Sequence, residues 1–186
     1  MRQTFTKKYI ELNKQLHNSP KGFGGGGHKQ LPSLLPILDD PDYKINTILD
    51  YGAGQGTMKT ALEKLNRGYQ ITNYDPARPE YDQKPQGNFD LVICTDVLEH
   101  IEPQYIDAVI EDLKDYSKCF LYLVIVCTPA NKVLPDGRNA HILQRPPEWW
   151  NHKLIVEHNF KHLYWHLNPD KENPDRIKKI SWGLIK

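Results

Sequence analysis

Asp50, Gly52, Gly54 and Gly56 stand at alternate positions with Tyr51 and Ala53 between them, and further carboxylates follow at Asp75 and Asp96. Glycine accepts positive φ and lets a ligand approach the backbone closely, so this spacing suits a cradle for a nucleotide-like molecule. A dinucleotide fingerprint would need a small residue where Thr57 stands, and a phosphate loop would need a lysine between Gly56 and Thr57. Neither is present. Instead Asp50 stands two residues before the first glycine, where a carboxylate attracts an ammonium or a sulfonium. Asp75 comes about 20 positions after the turn, where a carboxylate can accept both hydroxyls of a ribose.

The elements that must hold these groups read as strand, turn and helix. Ile45, Ile48 and Leu49 precede the glycines, and Met58, Ala61, Leu62 and Leu65 follow at helical spacing. A second short strand ends at Asp75 and Pro76. A third, Phe89 to Thr95, is a buried apolar run that ends in Thr95, Asp96, Val97, Glu99 and His100. Ligands of open α/β sheets lie at that carboxyl edge. S-adenosylmethionine (SAM) carries a nucleoside, an ammonium and a sulfonium, and is the cofactor these residues select.

The three segments Ile48–Gly56, Asn73–Ala77 and Phe89–Ile101 resemble, in order, the motifs of the class I (Rossmann-like) SAM-dependent methyltransferases. The resemblance implies an α/β fold with a doubly wound, mostly parallel sheet of up to seven strands, the last antiparallel. It implies cofactor contacts from Asp50, Tyr51, Gly52, Ala53, Gly54, Gly56, Asp75, Pro76, Thr95, Asp96 and Val97. The chain departs from the pattern between Pro76 and Asn88, where three prolines, one glycine and almost no apolar residue leave the third strand short or missing. The adenine neighbours are then expected among Tyr74, Ala77 and Tyr81.

The 186 residues suit one domain, expected to span 1–186. No stretch approaches the about 18 apolar residues that cross a bilayer, and the charged N-terminus lacks a signal-peptide core, so a cytoplasmic protein without a membrane partner is expected. Cys94, Cys119 and Cys127 have no metal or redox spacing. A net charge of +1 does not indicate a nucleic-acid partner, and oligomeric state is not legible. Phe5, Tyr9, Leu12 and Leu16 predict an amphipathic helix packed on the domain. The glycine-rich stretch from His17 to Lys29 is either a loose connection or a lid carrying Phe23, His28 and Lys29. Leu31, Leu34, Leu35 and Leu38 predict a helix that Pro36 should kink or shorten. Beyond Glu102 and Pro103, Ile106, Val109, Ile110 and Leu113 line a helix, and Phe120 to Val126 reads as a strand covered on both sides. A helix from Pro147 to about His158 and strands over 160–167 and 177–184 complete the chain.

Methyl transfer leaves most of the chemistry to the cofactor, and a general base is needed only for an acceptor such as a hydroxyl. His141, in the loop after the Phe120–Val126 strand, is the candidate base. The sequence His141, Pro146, Pro147, Glu148, Trp149, Trp150 is similar to a segment of sugar-modifying methyltransferases, which favours a small-molecule acceptor, a saccharide hydroxyl among them. Asp96, Glu99, His100 and His141 are also similar to the ligand layout of metal-dependent small-RNA 2′-O-methyltransferases. There the position of Asp96 is a longer Glu, and the paired downstream histidine is missing here. The expectation is therefore a methyltransferase without a metal. A metal-dependent RNA-type enzyme and a SAM-binding protein without catalysis remain the alternatives.

Overall fold

The computed structural model describes residues 2–20 and 22–186; Met1, and Lys21 within the glycine-rich stretch, lie outside the described residues. The apolar run at the centre becomes strand β3 (Phe89–Thr95), flanked by β1 (Thr47–Tyr51) and β4 (Ser117–Val126). With β2 (Gln70–Tyr74), β5 (Lys161–Pro169) and β6 (Ile177–Ile185) they form a six-stranded sheet in the order β2-β1-β3-β4-β6-β5. The pairings β1 with β2, β1 with β3 and β3 with β4 are parallel, and β6 runs antiparallel to both of its neighbours. Residues 76–88 form turns, so the third strand of the expected seven is absent and β2 is the edge of the sheet. A further strand here would pair outside β2 as a new edge, and this stretch has almost no apolar residue to bury beneath it while its prolines remove ladder donors.

Side chains alternate across the sheet, and both faces are covered. Leu49, Val92, Cys94, Leu121 and Leu123 face helix α4 (Ile106–Tyr116) together with Trp150, Leu154 and Trp182. Ile48, Leu91, Ile93, Tyr122 and Val124 face helices α2 (Leu31–Leu38) and α3 (Thr57–Glu63) through Leu34, Ile37, Met58 and Leu62. Pro36 lies inside α2, which is eight residues long. The expected helix at Pro147 is α5 (Pro147–Asn151), continued by a π-helical turn over His152–Glu157. No helix among the described residues is long and apolar enough to cross a membrane.

Helix α1 (Lys7–His17) starts at Thr6, whose hydroxyl accepts from the Tyr9 amide at 3.1 Å. It does not lie on the sheet faces. Tyr9 and Leu16 pack with Leu134 and Ala140, and with the partly buried Phe23, Ala130 and Ile142. This third cluster forms a roof from two distant parts of the chain, set over the carboxyl edge of the sheet. The Tyr9 hydroxyl donates to the His100 carbonyl and ties the roof to the end of β3.

Candidate active site

Where β1 ends, the chain turns through Gly52, Gly54 and Gly56, all at positive φ (80°, 53° and 68°). The Gly52 and Ala53 amides donate to the Tyr74 carbonyl at 2.7 and 3.1 Å, which fastens the turn to the end of β2. Asp75 completes the fastening: its two carboxylate oxygens accept from the amides of Gly54 and Ala77, each at 2.9 Å. A carboxylate oxygen so held retains lone pairs for a further donor.

The turn borders a cavity of about 770 Å³ between the sheet edge and the roof. That volume lies within the range of small-molecule and cofactor sites. Asp50, Tyr51, Gly52, Ala53, Gly54, Asp75, Pro76, Thr95, Asp96, Val97 and His141 all reach it. Gly56 does not. It is the residue before α3, and a Cβ there would stand 2.8 Å from the Asn73 amide and 2.9 Å from the Tyr81 hydroxyl, so this glycine serves the packing of the turn. Of the expected adenine neighbours, Ala77 lines the cavity, whereas Tyr74 is buried against Tyr51 on the α4 side.

Residues 23–28 of the glycine-rich stretch cross the turn and bond to it. The Gln55 amide donates to the Gly24 carbonyl at 3.0 Å, and its side-chain amide donates to the Phe23 carbonyl at 2.9 Å. Thr57 donates to the Gly25 carbonyl and accepts from the His28 amide, both at 3.3 Å. Phe23 and Gly24 line the cavity, as expected of a lid, but His28 and Lys29 are exposed outside it. A four-glycine run lets the backbone itself cross the turn, which leaves no side chain from that run to point inward.

This close crossing changes what Gly54 tolerates. A Cβ at Gly54 would lie 2.3 Å from the Gly24 carbonyl oxygen, and the residue needs positive φ. Gly54→Val therefore disturbs the turn and the crossing segment as well as the cavity. We expect Gly54→Ala to lower stability by about 1–3 kcal/mol and to speed proteolytic cleavage within residues 22–28. Unchanged melting and cleavage would contradict that packing.

Asp50 is the strained charge of the site. It is 3% exposed, and burial, then the neighbouring Asp75, push its carboxyl up to about 7. A cation placed beside it would favour the ionised form. The donor set thus fits a cationic nucleoside.

At the other end of the cavity three potential ligands converge. His141 Nδ1 lies 2.6 Å from the Thr128 carbonyl and His100 Nδ1 lies 2.8 Å from the Ala140 carbonyl. A carbonyl can only accept, so each Nδ1 carries the proton and each Nε2 keeps its lone pair. The two rings meet edge to face at 4.7 Å. Burial lowers the His141 pKa, opposed by the Thr128 carbonyl and Asp96, and lowers that of His100 to about 3. Glu99 is fully buried; its Oε1 accepts from the Val126 amide at 2.9 Å, and its Oε2 has no partner. One ligand atom each from Glu99, His100 and His141 lie within 4.8 Å of one another. Asp96 adds a second buried oxygen, Oδ1, without a partner, on a residue held at φ 55°. Glu148 is exposed and does not join them.

Comparison with known folds gives close architectural likenesses. A 1,6-didemethyltoxoflavin-N1-methyltransferase from Burkholderia thailandensis, solved with its substrate and S-adenosylhomocysteine (SAH), superposes with a TM-score of 0.64 at 13% identity, covering 100% of this chain and 92% of that one. The magnesium protoporphyrin IX methyltransferase of Synechocystis PCC 6803, solved with SAH, gives 0.60 at 15% identity, covering 97% and 95%. A SAM-dependent methyltransferase from Archaeoglobus fulgidus gives 0.59 at 14% identity, covering 92% and 98%. At such identities the likeness shows the fold. No curated protein sequence matches significantly. Residues 13–171, a span that takes in every strand but β6 and the whole glycine turn, match the family described as Methyltransferase domain, and the chain belongs to that family.

Proposed function

We propose that the chain transfers a methyl group from SAM to a hydroxyl of a small molecule, and that His141 takes the acceptor's proton. The observation that carries this reading is one cavity lined both by the buried carboxylates Asp50 and Asp75 and by His141, whose Nε2 is left unprotonated. Asp50 would face the cofactor's ammonium, Asp75 the ribose hydroxyls, and the backbone from Tyr51 to Gly54, with Pro76 and Thr95 to Val97, would form the walls. When bound, SAM supplies a methyl group already activated on a cationic sulfur. The protein's part is to align the acceptor, exclude water and hold a proton acceptor within reach. The Thr128 carbonyl fixes the His141 tautomer for that purpose.

A small acceptor is supported by the volume of the cavity and by the substrates of the toxoflavin and porphyrin enzymes that share the fold. The saccharide reading rests on the likeness of the segment 141–150 alone, because Trp150 is fully buried in the core and neither Trp149 nor Trp150 lines the cavity.

A second reading is favoured by the convergence of Glu99, His100 and His141. Two imidazole rings and a carboxylate suit a divalent first-row ion, and the backbone carbonyls that hold each Nδ1 are contacts of the kind that orient such ligands. In that case the ion would polarise the acceptor hydroxyl, and Glu99 Oε2 would have the partner it lacks.

The test of the main reading is binding followed by transfer. Calorimetric titration should show SAH binding to the wild type and a loss of roughly 2–4 kcal/mol in Asp75→Ala, since two charge-assisted hydrogen bonds are removed and such terms add imperfectly. Radiolabelled SAM and a screen of hydroxylated small molecules then identify the acceptor. An Asp75→Ala protein with unchanged affinity would reject the assignment.

A further inference from the structure

Helix α1 ends at His17, whose side chain is 5% exposed although the residue stands in a segment far in sequence from the glycine turn. Its ring is held on two sides. Phe23 meets it edge to face at 5.0 Å, and a Cβ on Gly24 would stand 2.7 Å from its Cε1, so the crossing segment fits around the imidazole. Nδ1 is buried and has no hydrogen-bond partner. Nε2 points towards Asp75 Oδ2 at 3.9 Å, and both residues line the cavity. That separation is too long for a direct hydrogen bond. It is the separation at which one oxygen atom can sit about 2.8 Å from both, with an angle of about 90° at that oxygen. A hydroxyl there would donate to the carboxylate and exchange its second hydrogen bond with the imidazole. The gap is polar on both sides, and Gly24 and Phe23 pack against the imidazole that borders it.

We infer that His17 is a second ligand of the cofactor's ribose, sharing a hydroxyl with Asp75, so that helix α1 is part of the cofactor site and not only its roof. The inference rests on the assignment of Asp75 to the ribose made above. Burial lowers the pKa of the His17 ring, opposed by Asp75, which leaves it able to accept as well as donate. No other basic side chain among the described residues approaches Asp75 Oδ2 within salt-bridge range.

Calorimetry with SAH and with its 2′-deoxy and 3′-deoxy analogues tests this. The expected results are an about tenfold loss of SAH affinity in His17→Ala, the size of one hydrogen bond, and substantial recovery in His17→Gln, whose side-chain amide reaches towards the Nε2 position. The loss in His17→Ala should shrink to near unity for the analogue that lacks the shared hydroxyl. A purely structural role would weaken all three ligands equally. The inference is overturned if folded His17→Ala binds SAH as the wild type does, or if its loss is the same for both analogues as for SAH. If His17→Ala does not fold, the inference stands on His17→Gln: this variant must favour SAH over the analogues as the wild type does, and equal affinity for all three overturns it. Wild-type protein that binds no SAH would instead overturn the SAM reading itself. An Asp75→Ala loss without a His17→Ala loss would overturn the His17 inference alone.

Discussion

Asp50→Asn is expected to stabilise the ligand-free protein at pH 8 by about 2–4 kcal/mol while weakening SAM binding about 100-fold to 1,000-fold. The sign follows from the shift of the carboxyl from 3.8 to about 7 on folding. Between those values this carboxyl binds more protons in the folded state than in the unfolded chain, so its contribution to stability falls as pH rises through about 4 to 7. At 1.36 kcal/mol per pKa unit the loss approaches roughly 4 kcal/mol. Asparagine carries no such charge, so the difference between the two proteins should grow across that window while the contributions of all other groups are shared. The affinity loss follows from the proposed placement of the Asp50 carboxylate opposite the cofactor's ammonium in a buried place. Urea melts at pH 5 and 8, with calorimetry at pH 8, check both halves. Parallel pH profiles for the two proteins would show that Asp50 is solvated well enough to ionise freely.

His141→Ala is expected to lower turnover by about 10²–10⁴ with SAM affinity nearly intact, because a base acts only in the chemical step. Single-turnover measurements with the identified acceptor, with and without a chelator, separate the base from the metal reading. Under the base reading the wild type ignores the chelator. Under the metal reading the chelator mimics the substitution, and added divalent ion restores the wild type but not the variant. Full activity in His141→Ala would remove both.

Much of this site could be read from the chain because its parts are local. Glycines at alternate positions followed by a helical pattern predict the turn, and Asp75 follows at the end of the next strand. The prolines between Pro76 and Asn88 predict the missing strand for a reason of the same kind, since they exclude a ladder within their own stretch. The roof was not legible in this way. The pattern of Phe5, Tyr9, Leu12 and Leu16 states that one face of α1 is buried, but periodicity carries no information about which surface buries it. Tyr9 and Leu16 meet Leu134 and Ala140, partners more than 110 residues away. His17 follows Leu16, and no pattern in the chain singles it out. Its placement depends on that non-local packing. The resemblance implies a cofactor contact at Gly56, whereas the neighbours that a Cβ there would meet are Asn73 and Tyr81, which only the folded chain brings together. The convergence of His100 and His141 likewise depends on how the loop after β4 folds back over the end of β3.

The four hydrogen bonds that pin residues 23–28 to residues 55–57 set the energy scale for how the cavity wall behaves in time. At about 0.5–1.5 kcal/mol net each they hold the closed arrangement by roughly 2–6 kcal/mol, so an open arrangement is populated at no more than a few per cent. A molecule that enters only when this wall is open binds with an apparent affinity reduced by that fraction, and one that leaves by the same route waits for it. Departure of the spent cofactor then becomes a candidate for the slow step of the cycle, and substitutions at Gln55 or Thr57, which touch no reacting atom, would alter the steady-state rate by changing how often the wall parts.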